Sequence, residues 1–261
     1  MLHDQRLLKA RWTKIVAAAC CMLGSIDSPA WAQDATSILR AMSQYVSSQK
    51  SLSLTFDTEI EVITPQLQKL QFDSSGTVSI SRPDKFRASR TGGYADVELI
   101  ADGKVVTLLG KNLNVFAQAE IGGPADQVVD QLRDQYSAEL PATDLLRTNS
   151  FEALMDGVID AKHIGRGVVD GVECEHLAFR TEDTDWQIWV QVGDRPIPRK
   201  YIITSKAVSA APQYTIRIKD WKTDPRFAAD AFTFKPPDGA RKIEIGAFRN
   251  FDEVPSSVAF Q

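Results

Sequence analysis

Two histidines are the first candidates for chemistry. His163 and His176 flank an Asp170-Gly171 dipeptide inside a run of alternating apolar residues, a spacing that sets them near each other on neighbouring strands. With Glu175 they would make three possible metal ligands. Adjacent strand residues point to opposite faces, however, so Glu175 and His176 cannot serve one ion, and the histidines read as satisfied or surface polar groups. Cys174 lies in the same run and reads as a small apolar side chain. The carboxylates of Asp183-Thr184-Asp185 read as a solvated turn. The chain holds no HExxH, no paired CxxC, no Walker loop and no GxSxG elbow. No catalytic residue, metal-ligand set or cofactor site is therefore assigned.

The elements around these residues follow from composition and periodicity. The chain has 261 residues, 43% of them hydrophobic and 25% charged, with a net charge of −4. Such a balance suits a globular protein and is a poor electrostatic match for nucleic acid. No apolar run approaches the ~18 residues of a membrane-spanning helix. The first 32 residues read as an export signal: Arg6, Lys9, Arg11 and Lys14 precede the apolar stretch Ile15–Ile26, and Ala30-Trp31-Ala32 closes it. Cleavage after Ala32 sends residues 33–261 to the periplasm as a single domain. The intact mass of exported protein is expected to begin at Gln33 without acyl addition; a diacylated species starting at Cys20 or Cys21 would instead anchor the chain to a membrane.

Beyond the leader, Asp34 is a plausible helix N-cap, followed by Ile38, Leu39, Met42, Tyr45 and Val46 at helical spacing over about 14 residues. From Leu52 the period becomes two: Leu52, Leu54, Phe56, Ile60 and Val62 share one parity, and Pro65 ends the run. Leu70–Phe72 and Val78–Ile80 alternate around Ser75-Gly76. Val97–Ala101 and Val105–Leu109 meet at Asp102-Gly103, a hairpin signal, and Leu113–Ala117 follows. Between Pro124 and Gly157 the period is helical, with Val128, Val129, Leu132 and Tyr136 on one face and a second short helix after Asn149 or Ser150. Strands resume at Val158–Val169, Val172–Arg180, Trp186–Val192, Arg199–Ser205 and Tyr214–Trp221. The pattern predicts an α+β protein, an antiparallel meander interrupted by one helical insertion.

Three segments carry a family likeness. Gly76–Arg87 (GTVSISRPDKFR) resembles the G-x-(alternating)-R-P-x-x-F segment of the periplasmic lipoprotein carrier LolA. Phe232–Gly239 (FTFKPPDG) is similar to that family's closing F-x-F-x-P-P-x-G, and Leu99–Lys104 (LIADGK) to its L-x-x-D-G-K. The whole chain also resembles a family of predicted periplasmic proteins grouped as a domain of unknown function. The resemblance implies a strongly curved antiparallel sheet, an unclosed β-barrel, whose concave apolar face is covered by helices. Arg82 and Phe86 match the carriers' functional Arg and Phe, and the resemblance implies that this arginine bonds lid backbone in the closed state. An exposed arginine at a strand end is the other reading of Arg82.

Parity places Val78, Ile80 and Arg82 on one face. With the concave apolar face that the resemblance implies, Arg82, Phe86, Leu54, Phe56, Val78 and Ile80 are the candidate ligand-binding residues. The early helix and residues 124–157 are the candidate lids. That insertion is longer than a carrier's lid, so it either encloses a different ligand or fills the hollow outright. The expected function is non-enzymatic: binding of lipid, lipoprotein acyl chains or another hydrophobic ligand. An envelope sensor or protein-interaction module on the same fold is the alternative, and an enzyme with an unrecognised site the third reading.

Overall fold

The parity that begins at Leu52 builds a strand with one greasy side. β1 (Ser51–Ile63) pairs along its whole length with β2 (Lys69–Ser81), setting Leu52 opposite Ile80 and Leu54 opposite Val78. The computed structural model describes residues 30–136, 138, 140–244 and 246, so most of the leader and the last residues lie outside the described part. β2 continues without a break through Ser75-Gly76, where the sequence suggested two separate runs. After Arg82-Pro83 the chain reverses into β3 (Lys85–Gly92), a strand not expected from sequence, which sets Phe86 opposite Ile80.

β4 (Asp96–Ala101) and β5 (Val106–Gly110) form the hairpin predicted at Asp102-Gly103, where the Asp102 carboxylate accepts hydrogen bonds from the backbone N–H groups of Lys104 and Val105. β6 (Val115–Ala119) starts two residues later than expected, leaving Leu113 exposed. β7 (Asp160–Val169) and β8 (Val172–Arg180) turn at Asp170-Gly171, both with positive φ as a tight hairpin requires. β9 (Thr184–Gln191), β10 (Pro198–Ser205) and β11 (Gln213–Thr223) complete the meander, and β11 closes back on β1. A two-residue strand, β12 (Arg241–Lys242), pairs in parallel with β6. The sheet order is β12-β6-β5-β4-β3-β2-β1-β11-β10-β9-β8-β7, so the ends never meet and the mostly antiparallel, curved sheet is unclosed.

Helices cover its inner face. α1 (Ala30–Ser48) begins before Asp34, which therefore lies inside the helix rather than capping it, and the expected cleavage point falls in its first turn. Ala35, Leu39, Met42 and Val46 are fully buried, one stripe at helical spacing. Burying each Leu, Met or Val of that stripe contributes roughly 1.5–3 kcal/mol. α2 (Ala125–Tyr136) buries Ala125, Val128 and Leu132 but leaves Tyr136 exposed, against the expected face. A single 3₁₀ turn (Thr143–Leu146) and α3 (Ser150–Met155) follow. Val158 precedes the next strand instead of opening it, and its N–H caps the end of α3 through the Met155 carbonyl.

The outer face of β3–β6 carries the segment after β11. Arg87 forks onto Glu98 at 2.8 and 3.0 Å and donates a further hydrogen bond to the Ala231 carbonyl. Phe232 is buried, and the Phe234 ring lies 5.0 Å from that of Phe116. The closing F-x-F motif is thus a strap across the sheet's back.

Among the described residues no helix is long and apolar enough to cross a membrane.

Candidate ligand-binding site

Antiparallel register sorts the inner face into rows that run across the strands. Leu52, Ile80, Phe86, Ala101 and Val106 form one row, and every member is buried. In the next, Leu54 is buried while Val78, Ala88, Leu99 and Leu108 are half-buried. Ile218, Phe56, Gly76, Arg90 and Val97 form the third, in which Phe56 and Arg90 are half-buried. Cover over the face thus thins at Val78, Ala88, Phe56 and Arg90 and returns one row further on, where Ile216, Thr58 and Ser74 are buried.

The cover itself is apolar. Val128, Leu132, Leu145 and Leu154 of the 124–157 insertion belong to the same continuous cluster as Leu54, Ile80 and Phe86. Of the two expectations for the longer lid, the structure shows its side chains filling the hollow beside Arg82. The insertion is also tied to itself: Arg147 forks onto Asp130 at 2.6 and 2.9 Å, Arg133 meets Asp144 at 3.0 Å, and the Asp126 carboxylate accepts from the Thr148 N–H and hydroxyl. The guanidinium of Arg147 holds the Asp130 carboxyl below its usual range.

Arg82 links this unit to the sheet. Its Nη2 donates to the Leu146 carbonyl at 2.7 Å and its Nε to the Gln49 carbonyl at 3.1 Å. Leu146 ends the 3₁₀ turn and Gln49 follows α1, so one cation satisfies carbonyls at two helix C-termini, where partial negative charge collects. Burial pulls the guanidinium's pKa below its ordinary value while the charge of Asp126 raises it, and an arginine keeps its proton under such a shift. The adjacent Pro83 carbonyl accepts the Ala125 N–H at 2.8 Å, a second tie between the β2–β3 turn and the insertion.

The six residues read from sequence therefore share one face. Leu54, Ile80 and Phe86 lie under the helices, Phe56 and Val78 lie where the cover thins, and Arg82 stands at the lid. Two further residues escaped notice. Arg90 shares the parity of Phe86 and Ala88, legible once β3 is extended to Gly92. Tyr214 neighbours it electrostatically: burial pushes its hydroxyl up to about 12, while the Arg90 charge and a hydrogen bond with Thr58 pull downward. Thr58 in turn bonds the Ser74 hydroxyl at 2.6 Å. Such a face can bind apolar chains and, through its guanidinium and hydroxyls, anionic or hydrogen-bonding groups.

The histidines separate. Gly165, with positive φ, sits at a bulge that shifts the β7 register, so His163 opposes Leu177 on the inner side and bonds Glu175 at 2.7 Å. His176 opposes Gly165, stacks on Trp189 with ring centroids 4.1 Å apart, and bonds Gln187. The expected proximity of the two rings on one face is thus corrected by one extra residue. Cys174 is fully buried, and burial pushes its thiol up. Asp183 is exposed in the β8–β9 turn as expected, whereas Asp185 lies in β9 and pairs with Arg180 and Lys206, which hold its carboxyl below the usual range.

Comparison with known proteins follows this geometry. The chain is 23% identical over 186 residues to the protein MJ0687 of Methanocaldococcus jannaschii, a match covering 70% of this chain and 48% of that protein, so the chain spans about half the relative's length. Among solved structures it is similar to LprF from Mycobacterium bovis, with 12% identity and a TM-score of 0.49 over 77% of this chain and 99% of the other. A LolA superfamily protein from Nitrosomonas europaea, NE2245, matches with 11% identity and a TM-score of 0.33 over 77% and 97% of the two chains. Residues 35–246 match the model of the predicted periplasmic protein family DUF2092, and the chain belongs to that periplasmic family.

Proposed function

We propose that this chain is a periplasmic, non-enzymatic binding protein that holds a hydrophobic ligand, a lipid or the acyl chains of a lipoprotein, on the inner face of its half-barrel. One observation carries the reading. Leu52, Leu54, Phe56, Val78, Ile80 and Phe86 form one apolar stretch of the inner face, and part of its cover is an insertion braced within itself and joined to the sheet at Arg82-Pro83. A cover braced within itself could lift as a unit, and a ligand-binding face needs such a cover, since a large exposed apolar patch is unusual on a monomer.

The closed arrangement is also less deep than its area suggests. Ser43 on α1 and Ser150 on α3 bury hydroxyls without a hydrogen-bond partner, as does the indole N–H of Trp221. Each such group costs about 1–3 kcal/mol. Ligand enters as the insertion lifts, exchanging lid side chains for acyl chain along the Leu52 and Leu54 rows.

A lipophilic fluorescent probe is expected to bind at about one site per chain. Val78→Asp places a carboxylate on the half-buried row and is expected to weaken that binding by at least tenfold, because the ion loses its water without gaining a partner. Phe86→Glu is expected to abolish it, at a heavier cost in stability because Phe86 is buried. A folded wild-type chain that takes up no probe would make the hollow a packed core and favour a protein-interaction module on the same fold.

A further inference from the structure

The inner face is not apolar to its end. On β3, Phe86, Ala88 and Arg90 share the side that meets the helices, whereas Arg87 turns outward to Glu98. The register gives Arg90 the neighbours Gly76 and Val97. By the same register the other inner positions of β1, β4 and β5 (Leu52 to Val62, Val97 to Ala101, Val106 to Gly110) are uncharged. Arg90 is thus a cation set into a greasy strip, three rows from the lid end.

The floor leading to it is apolar. Gly76 leaves the space into which the Phe56 ring folds, so that ring lies across β2 toward Arg90. The Thr58–Ser74 hydroxyl pair lies one row beyond Phe56 and Gly76, and the register sets Tyr214 on β11 opposite Ile60. Arg90 is itself engaged within the chain, so an incoming anion exchanges for that contact rather than meeting a bare charge.

We infer that Arg90 is a headgroup site for an anionic amphiphile whose acyl chain crosses the Leu54–Val78–Ala88–Leu99 row with its tail toward Arg82. The inference rests on the hydrophobic-ligand reading and names the ligand class of that site. The planar fork of a guanidinium matches a carboxylate or a phosphate, and a half-buried position strengthens the attraction over its value in water. An uncharged head gains no such bond and forces desolvation of the cation.

The test compares probes of one chain length on the full chain. Palmitate against hexadecanol reads the carboxylate, and palmitoyl lysophosphatidate against monopalmitoylglycerol reads the phosphate. Wild type is expected to prefer at least one anionic member of these pairs by about tenfold to a hundredfold at low salt, the range for a charge-assisted bond. Whichever pair shows the preference identifies the head. Arg90→Gln is expected to bring that ratio to about one, and Arg90→Lys to restore part of it, with melting temperature confirming folded variants. Equal binding of both members in wild type, or an undiminished ratio in Arg90→Gln, overturns the headgroup site while leaving the hollow in place. Failure of all four probes overturns both.

Discussion

Gly76→Ala is expected to destabilise the protein by about 1–3 kcal/mol or more, the range for overpacking a filled site. A Cβ at this position would overlap the backbone carbonyl of Ser89 and the ring edge of Phe56 at once. The ring can rotate away, but the carbonyl belongs to the β2–β3 ladder, where Gly76 pairs with Arg90, and moves only if the strands part. In a chain of this size each kcal/mol lowers Tm by roughly 2–4 °C, so a drop of several degrees should appear in a thermal melt. Gly93→Ala supplies the control, since nothing lies within 4 Å of a Cβ there. Adding Phe56→Leu to Gly76→Ala is expected to recover only part of the loss, because the carbonyl overlap remains. Equal melting temperatures for the two alanine variants would remove the steric account of Gly76.

That glycine shows what the sequence carries and what it withholds. The motif G-x-(alternating)-R-P-x-x-F spans Gly76 to Phe86, and its physical content is visible only when strands are paired: a glycine where an aromatic ring crosses, an arginine at the turn, a phenylalanine under the helices. Period-two parity at Leu52, Leu54 and Phe56 predicted the inner face because one side of β1 is covered by helices and the other is not. The Asp102-Gly103 and Asp170-Gly171 turns were legible because their backbone demands are local. β3 was not, since Lys85–Gly92 holds two arginines, a lysine and two small polar residues, and its ladder is set by neighbours on both sides. The bulge at Gly165 was hidden for a related reason: an inserted residue leaves composition unchanged yet turns His163 and His176 to opposite faces. Arg90 went unseen with β3, and with it the polar end of the hollow.

Replacing Arg82 should act on the lid as a whole. Arg82→Leu removes the donors to Leu146 and Gln49 and leaves two helix-terminal carbonyls without them. Charge-assisted bonds of this kind contribute roughly 1.5–3 kcal/mol, so the balance between closed and lifted insertion is expected to shift by about one to two powers of ten. The internal ties of Arg147 to Asp130 and Arg133 to Asp144 do not involve Arg82, so residues 124–149 should lift as a unit, with faster hydrogen exchange spread across them rather than confined to Leu146. With side chains of the insertion occupying the hollow, a ligand of the proposed kind would bind only the lifted fraction, and apparent affinity is expected to rise in proportion to that fraction until it approaches one. The variant is therefore expected to hold a lipophilic probe about tenfold to a hundredfold more tightly and to release it slowly. Arg82→Lys should recover part of the protection, since an ammonium reaches one carbonyl but cannot span two as the planar fork does. If exchange in the insertion and probe affinity both match wild type, the bond from Arg82 to Leu146 is incidental and the insertion is held by its apolar side chains alone, from Val128 to Leu154.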